Sequence, residues 1–145
     1  MPHQTPHNLF VDELGKASRK LRTLFDARVK KLGLTLARAK TLVLLSRLGV
    51  LNQKELAEEL EIETPTMVRL LDGLEKQGLI ERRAVEGDRR AKQIVITALG
   101  LDLAEEVNRL AQALRAEILQ DVDEKELLNA IEVLRTVNRK INDLS

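Results

Sequence analysis

Basic side chains are the residues of this chain whose types and spacing could do chemistry, and they fall into two groups. The first is Arg69, alone in Thr64-Pro65-Thr66-Met67-Val68-Arg69-Leu70-Leu71-Asp72-Gly73-Leu74-Glu75-Lys76-Gln77-Gly78. Thr64 suits an N-cap, Pro65 the first helical position, and Gly78 the left-handed residue past a helix end. Val68, Leu71 and Leu74 give that helix, 64–77, an apolar stripe, so Thr66, Arg69, Gly73 and Gln77 fall on the opposite side. An outward arginine, with a glycine nearby to let a bulky surface approach, suits a helix that docks onto DNA. The second group is Arg82, Arg83, Arg89, Arg90 and Lys92, set against only Glu86 and Asp88. Acids dominate further on, between positions 101 and 133, although the net charge is only +1. A basic patch on an otherwise acidic or neutral body fits phosphate contact, and so does a solvated charged hairpin.

Other chemistries are harder to find. The chain has no cysteine, which removes disulfides, a thiol redox switch and a thiolate metal site. His3 and His7 lie in a Pro-containing leader with no third ligand, so no metal or other cofactor is expected. With no Trp, no Tyr and two Phe, stacking on single-stranded nucleic acid is a poor fit. No nucleophile–base pair or phosphate loop points to an enzyme. No apolar run approaches the roughly 20 residues of a membrane span, and the N-terminus lacks the order of a secretory signal, so a cytoplasmic protein is expected.

The elements that must position the arginines follow from caps and periodicity. A flexible tail is expected over 1–8, then a helix over 9–32 through Leu14, Ala17, Leu21, Phe25 and Val29, closed by Gly33. Thr35 caps a second helix with Leu36, Lys40, Val43, Leu44 and Leu48 on one face, closed by Gly49. Asn52-Gln53-Lys54-Glu55 has the form of a capping box and opens a short helix over 53–60. Glu61-Ile62-Glu63 then turns into the Arg69 helix, making a helix-turn-helix. Strands are expected over 79–83 and 93–97, joined by turn residues with a basic tip. A helix-turn-helix followed by a basic hairpin is a winged helix, whose second helix can enter the major groove while the wing reaches the minor groove. Thr97 caps a long helix to about position 120, and Asp123-Glu124-Lys125-Glu126 reads as a second capping box. The last helix carries Leu127, Ile131, Leu134, Asn138 and Ile141 at coiled-coil spacing. The fold class expected is mainly α with a small β-wing. A winged helix-turn-helix occupies 34–98 of a single domain (9–145), flanked by dimerisation helices over 9–32 and 99–145. The terminal helices offer more apolar face than one winged helix needs, and a symmetric homodimer covers it; packing within one chain is the alternative.

These residues resemble the multiple antibiotic resistance regulator (MarR) family and, within it, the SlyA branch. The resemblance rests on Gln53-Lys54-Glu55-Leu56-Ala57, the 64–72 and 74–80 stretches, and Asp88-Arg89-Arg90-Ala91-Lys92 running into Ile96-Thr97, where Ile96 replaces the family's Leu. It implies a homodimeric transcription regulator on a pseudo-palindromic operator in double-stranded DNA. By position, it places Pro65, Thr66 and Arg69 in the major groove and Arg90 in the minor groove, with Arg89 and Lys92 near phosphates. Asp88 would hold the Arg90 guanidinium ready, or form no more than an exposed ion pair. Many relatives answer to small aromatic carboxylates; the cations available here are Arg19, Arg22 and Arg38, or these are solvated surface arginines. A winged helix used as a protein-interaction module without DNA binding is the competing function.

Overall fold

Thr5 starts the first helix: its hydroxyl accepts from the Asn8 N–H at 3.1 Å, and Pro6 fills the first turn. This computed structural model describes residues 4–85 and 87–145, and the side chains of Asp88, Arg89, Arg90 and Ala91 also lie outside what it describes. Helix α1 spans Pro6–Val29, so positions 6–8, expected in the tail, are helical, and Met1, Pro2 and His3 are not among the described residues. A single 3-10 turn, Lys30–Leu32, tightens its end, and Gly33 at φ +78° reverses the chain.

Helix α2, Leu36–Leu48, begins as expected at Thr35, whose hydroxyl accepts from the Arg38 N–H at 3.2 Å. Its burial differs from the expected single face. Ala39, Thr41, Leu42, Leu44 and Leu45 are buried, whereas Lys40 and Leu48 are exposed. The buried positions spread over more of the helix than one stripe, leaving Ala37, Lys40, Arg47 and Leu48 exposed, so a single narrow apolar face does not describe it. Buried Thr41 satisfies its hydroxyl by donating to Ala37 O at 2.8 Å.

The two-residue strand β1, Leu51–Asn52, escaped the sequence reading because it is too short to alternate. It leads directly into α3, Gln53–Leu60, where the Asn52/Glu55 capping box closes in both directions, at 2.8 and 3.1 Å. Helix α4 follows over Thr64–Lys76, then strands β2, Ile80–Val85, and β3, Asp88–Ile96. Both strands run further into the wing than expected, with Gly87 at φ +86° in the turn and a register shift between Ala84 and Val85. The antiparallel sheet has the order β1-β3-β2, pairing Leu51 with Ile94 and Ile80 with Ile96. Ile80 and Ile94 are buried, while Glu81 and Gln93 face out.

Leu42, Leu45, Leu56, Met67, Leu71, Leu74, Ile80 and Ile94 are almost wholly excluded from solvent and form the centre of the core. Each contributes about 1.5–3 kcal/mol of transfer free energy. The core thus ties α2, α3 and both long strands to the buried side of α4, the Arg69 helix.

Helix α5 spans Ala98–Ile118 and α6 spans Glu124–Leu144. The chain divides into two compact units within α5, Met1–Ala111 and Gln112–Ser145. In the first, Ala104 and Val107 join the core. In the second, Asp123 sits at the N-cap of α6 but its side chain makes no capping hydrogen bond, so the second capping box is not formed. No residue of α6 is buried; Leu127, Ile131 and Val137 are half-buried, and Asn138 is exposed. Among the described residues, no helix is long and apolar enough to cross a membrane.

Candidate nucleic-acid interface

Helix α4 presents its N-terminal turns outward. Glu63 is its N-cap, with extended backbone at φ −75° and ψ 152°, and Thr64 is the first helical residue rather than the cap. The shift places Met67, Leu70, Leu71 and Leu74 on the buried side, with Val68 half-buried at its edge. Pro65, Thr66 and Arg69 are exposed together on the other side. Arg69 has no hydrogen-bond or ion-pair partner among the described residues, so its guanidinium is available to a ligand. The turn that aims this end of the helix is held by Glu61, the C-cap of α3, in the left-handed region at φ +54°. Behind it the Ile62 N–H donates to Ala57 O at 3.1 Å.

The two flanks of α4 are tied down by pairs that the sequence reading did not foresee. On the wing side, Arg82 of β2 reaches Asp72 at 2.5 Å and approaches Val68 O at 3.5 Å. Arg82 is mostly enclosed, its side chain 18% exposed against 58% for Asp72, and its Nε is buried without a partner among the described residues. On the other side, Arg38 of α2 donates to Gln77 Oε1 at 3.0 Å, and Gln77 Nε2 donates to Gly33 O at 3.0 Å. The Arg38 guanidinium lies directly over Gly73, where a Cβ would collide with it. Gly73 therefore makes room for an arginine of its own chain, not for an outside surface. Residues 38 and 77 are too far apart in sequence for helical spacing to have linked them.

The basic hairpin is also less uniform than its composition. Arg82 is taken by Asp72, and Arg83 pairs with Glu81 at 3.0 Å. Lys92 is exposed. Asp88, Arg89 and Arg90 have backbone in β3, but their side chains lie outside the described residues, and so does the expected Asp88–Arg90 pairing.

The three arginines considered for a ligand are dispersed. Arg19 is exposed and lies along its own helix, close to Gly15. Arg38 is engaged by Gln77. Arg22 lines an open cavity of about 850 Å³ with Thr23, Thr35, Leu36, Lys40, Ile62 and Leu70. Asp26, also on its wall, donates nothing and accepts twice: from the Leu36 N–H at 3.2 Å and from Lys30 at 3.2 Å. The Leu36 amide first, and Lys30 second, hold its carboxyl below the usual carboxylate range. Among the described residues no cluster of His, Asp and Glu comes together to hold a metal ion.

Comparison with known proteins agrees with this geometry. A model of the MarR family matches residues 34–92, the stretch from α2 through most of β3. The transcriptional regulator PA3341 is 38% identical over 92% of this chain and 98% of its own, with a TM-score of 0.80. The transcriptional regulator SlyA matches at 24% identity, over 92% of this chain and 94% of its own, with a TM-score of 0.81. MepR of S. aureus, solved as a complex with DNA, matches at 22% identity over 94% and 98%, with a TM-score of 0.79. At the identity of these last two the likeness is one of fold, so it does not assign the chain to the SlyA branch.

Proposed function

The chain belongs to the MarR family of transcriptional regulators, and from that premise we propose that it binds double-stranded DNA sequence-specifically as a homodimer. The observation that carries this reading is the exposed Pro65–Thr66–Arg69 surface, with an arginine that no described residue engages. Arg69 can make a forked contact to guanine, worth about 1–3 kcal/mol of discrimination. MepR, which shares this fold, is solved as a complex with DNA, and that supports DNA as the partner. Arg89 and Lys92 serve phosphates. Arg90, supported by Asp88, enters a narrow minor groove. Two copies on a pseudo-palindromic operator place their α4 helices about one DNA turn, roughly 34 Å, apart. A regulator that meets the chromosome works in the cytoplasm.

We assign the binding of a small aromatic carboxylate effector to the cavity beside Arg22. Lys40 supplies a second cation there and Leu36, Ile62 and Leu70 supply apolar wall, while Asp26, already engaged by Lys30 and the Leu36 amide, and Glu61 add two carboxylates to the same lining. Arg19 and Arg38 are placed less well for it.

The test is selection of bound sequences from a random duplex pool by the purified protein, followed by binding at several salt concentrations. Arg69→Ala should relax sequence preference by about 1–3 kcal/mol. Arg89→Ala should weaken binding to every duplex alike and flatten the salt slope by about one. Absence of any salt-dependent duplex binding would instead leave the winged helix as a protein-interaction module.

A further inference from the structure

We propose that Arg38, Gln77 and Gly73 form a positioning clamp that sets the pitch of α4 against α2 and thereby the sequence preference of the Arg69 surface. The inference rests on the DNA-binding reading and adds residues that do not touch DNA. Three observations support it. Arg38 donates to Gln77 Oε1 at 3.0 Å, at the C-cap of α4. The same Gln77 side chain donates to Gly33 O at 3.0 Å, in the turn that ends at α2. The guanidinium packs on Gly73, where a Cβ would displace it from its place against Gln77.

Glycine in a helix interior is unfavourable relative to alanine, so Gly73 runs against local propensity. The backbone that carries Arg38 is fixed, since it stands in the first turn of α2 where the Thr35 cap accepts from its N–H at 3.2 Å. The clamp therefore runs from a capped helix start, across a glycine gap, to the end of the reading helix. At the other flank Arg82 holds Asp72. Both flanks of α4 are thus tied, one to α2 and one to β2, on either side of the face that carries Arg69.

Gly73→Ala, Arg38→Ala, Gln77→Ala and the Gly73→Ala/Arg38→Ala double variant are compared with the wild type. Each is titrated with a duplex selected by the wild type and with a random duplex, over a salt series and below its own unfolding midpoint. The clamp predicts that Gly73→Ala weakens binding to the selected duplex about three- to tenfold, the scale of one lost hydrogen bond. Binding to random duplex and the salt slope should stay unchanged, and the thermal midpoint should not fall, because alanine is the better helix former. Arg38→Ala and Gln77→Ala should show the same selective loss. In the Arg38→Ala background, Gly73→Ala should cost nothing further, since the collision is gone.

Equal loss from Gly73→Ala with and without Arg38 would overturn the clamp and make the glycine a point of DNA approach. A salt slope lowered by Arg38→Ala would overturn it by making Arg38 a phosphate ligand. Unchanged selectivity in all the variants would overturn it outright. A wild type that selects no sequence refutes the DNA-binding reading itself and takes the clamp with it.

Discussion

Arg82 and Lys92 carry the same charge on the same hairpin and do different work. Arg82 is enclosed and joined to Asp72 of α4, while Lys92 is open to solvent. Arg82→Met keeps most of the aliphatic packing and removes the pair. With Asp72 more than half exposed, the orphaned carboxylate is readily hydrated, so the loss should be about 1 kcal/mol or less, read by urea unfolding. The salt slope of DNA binding should not change, because Arg82 is not a phosphate contact, whereas Lys92→Ala should lower it by about one. An Arg82→Met slope that fell as far would return the arginine to the DNA surface. Sequence alone could list these basic residues but not divide them. Separating them requires knowing that β2 passes beside the middle of α4, which is a tertiary fact. The exposure of Thr66 and Arg69 was legible, because helical periodicity decides it, whereas Pro65 joined them only through the family resemblance. Gly73 was misread for the same kind of reason: a gap in a helix face does not say what fills it.

The elements themselves were mostly written in local chemistry. Thr35, Asn52 and Thr97 all cap as their types suggest, and Gly33, Gly49 and Gly78 all adopt positive φ where a helix must stop. What was not legible is how the elements lock together, and the start of α5 shows this. Thr97 Oγ1 donates to Gly78 O at 2.7 Å and accepts from the Gly100 N–H at 3.1 Å, while the Thr97 N–H donates to Leu79 O at 3.0 Å. Gly100 then lies so close to Leu79 that a Cβ would strike its carbonyl oxygen. Gly100→Ala should therefore destabilise by about 1–3 kcal/mol despite the better helix propensity, measured by thermal or urea unfolding. A stabilised variant would mean that this approach is not tight. The joint between α1 and α2 depends on charge instead. Asp26 accepts from the Leu36 amide and pairs with Lys30, and its carboxyl is held below its ordinary value. A depressed carboxylate contributes stability that is complete above the unfolded pKa of about 4 and is lost as pH falls through the folded value. Asp26→Asn should then lower the unfolding midpoint at pH 7, with the gap to wild type closing below about pH 4. A gap that persists into acid would point to packing, not charge.

At the scale of the whole molecule, the chain leaves more apolar surface uncovered than a stable soluble monomer usually does. On α1, Leu9, Phe10, Val11, Leu14 and Leu21 are exposed. On α6, Leu128, Leu134 and Ile141 are exposed, Ile141 at 54%, and the helix buries none of its residues. A helix of this length gains little from propensity alone, so most of its stability must come from packing one amphipathic face. The proposed second copy supplies that packing, and the inference can be tested without disturbing the DNA surface. Leu134→Glu/Ile141→Glu places two like charges on each α6 and lies outside the Met1–Ala111 unit that holds α4 and the wing. Light scattering should report a dimer for the wild type at micromolar concentration and a monomer for the variant. Binding to a full palindromic site should fall by at least about 10²-fold, because two half-sites no longer share one high effective concentration. Binding to a single half-site should hardly change, since α4 and its flanking pairs are intact. A variant that stays dimeric would move the interface off α6. One that loses half-site binding as well would mean that the reading head depends on dimerisation for its own shape, a stronger coupling than the core centred on Leu42, Leu56, Leu71 and Ile94 suggests.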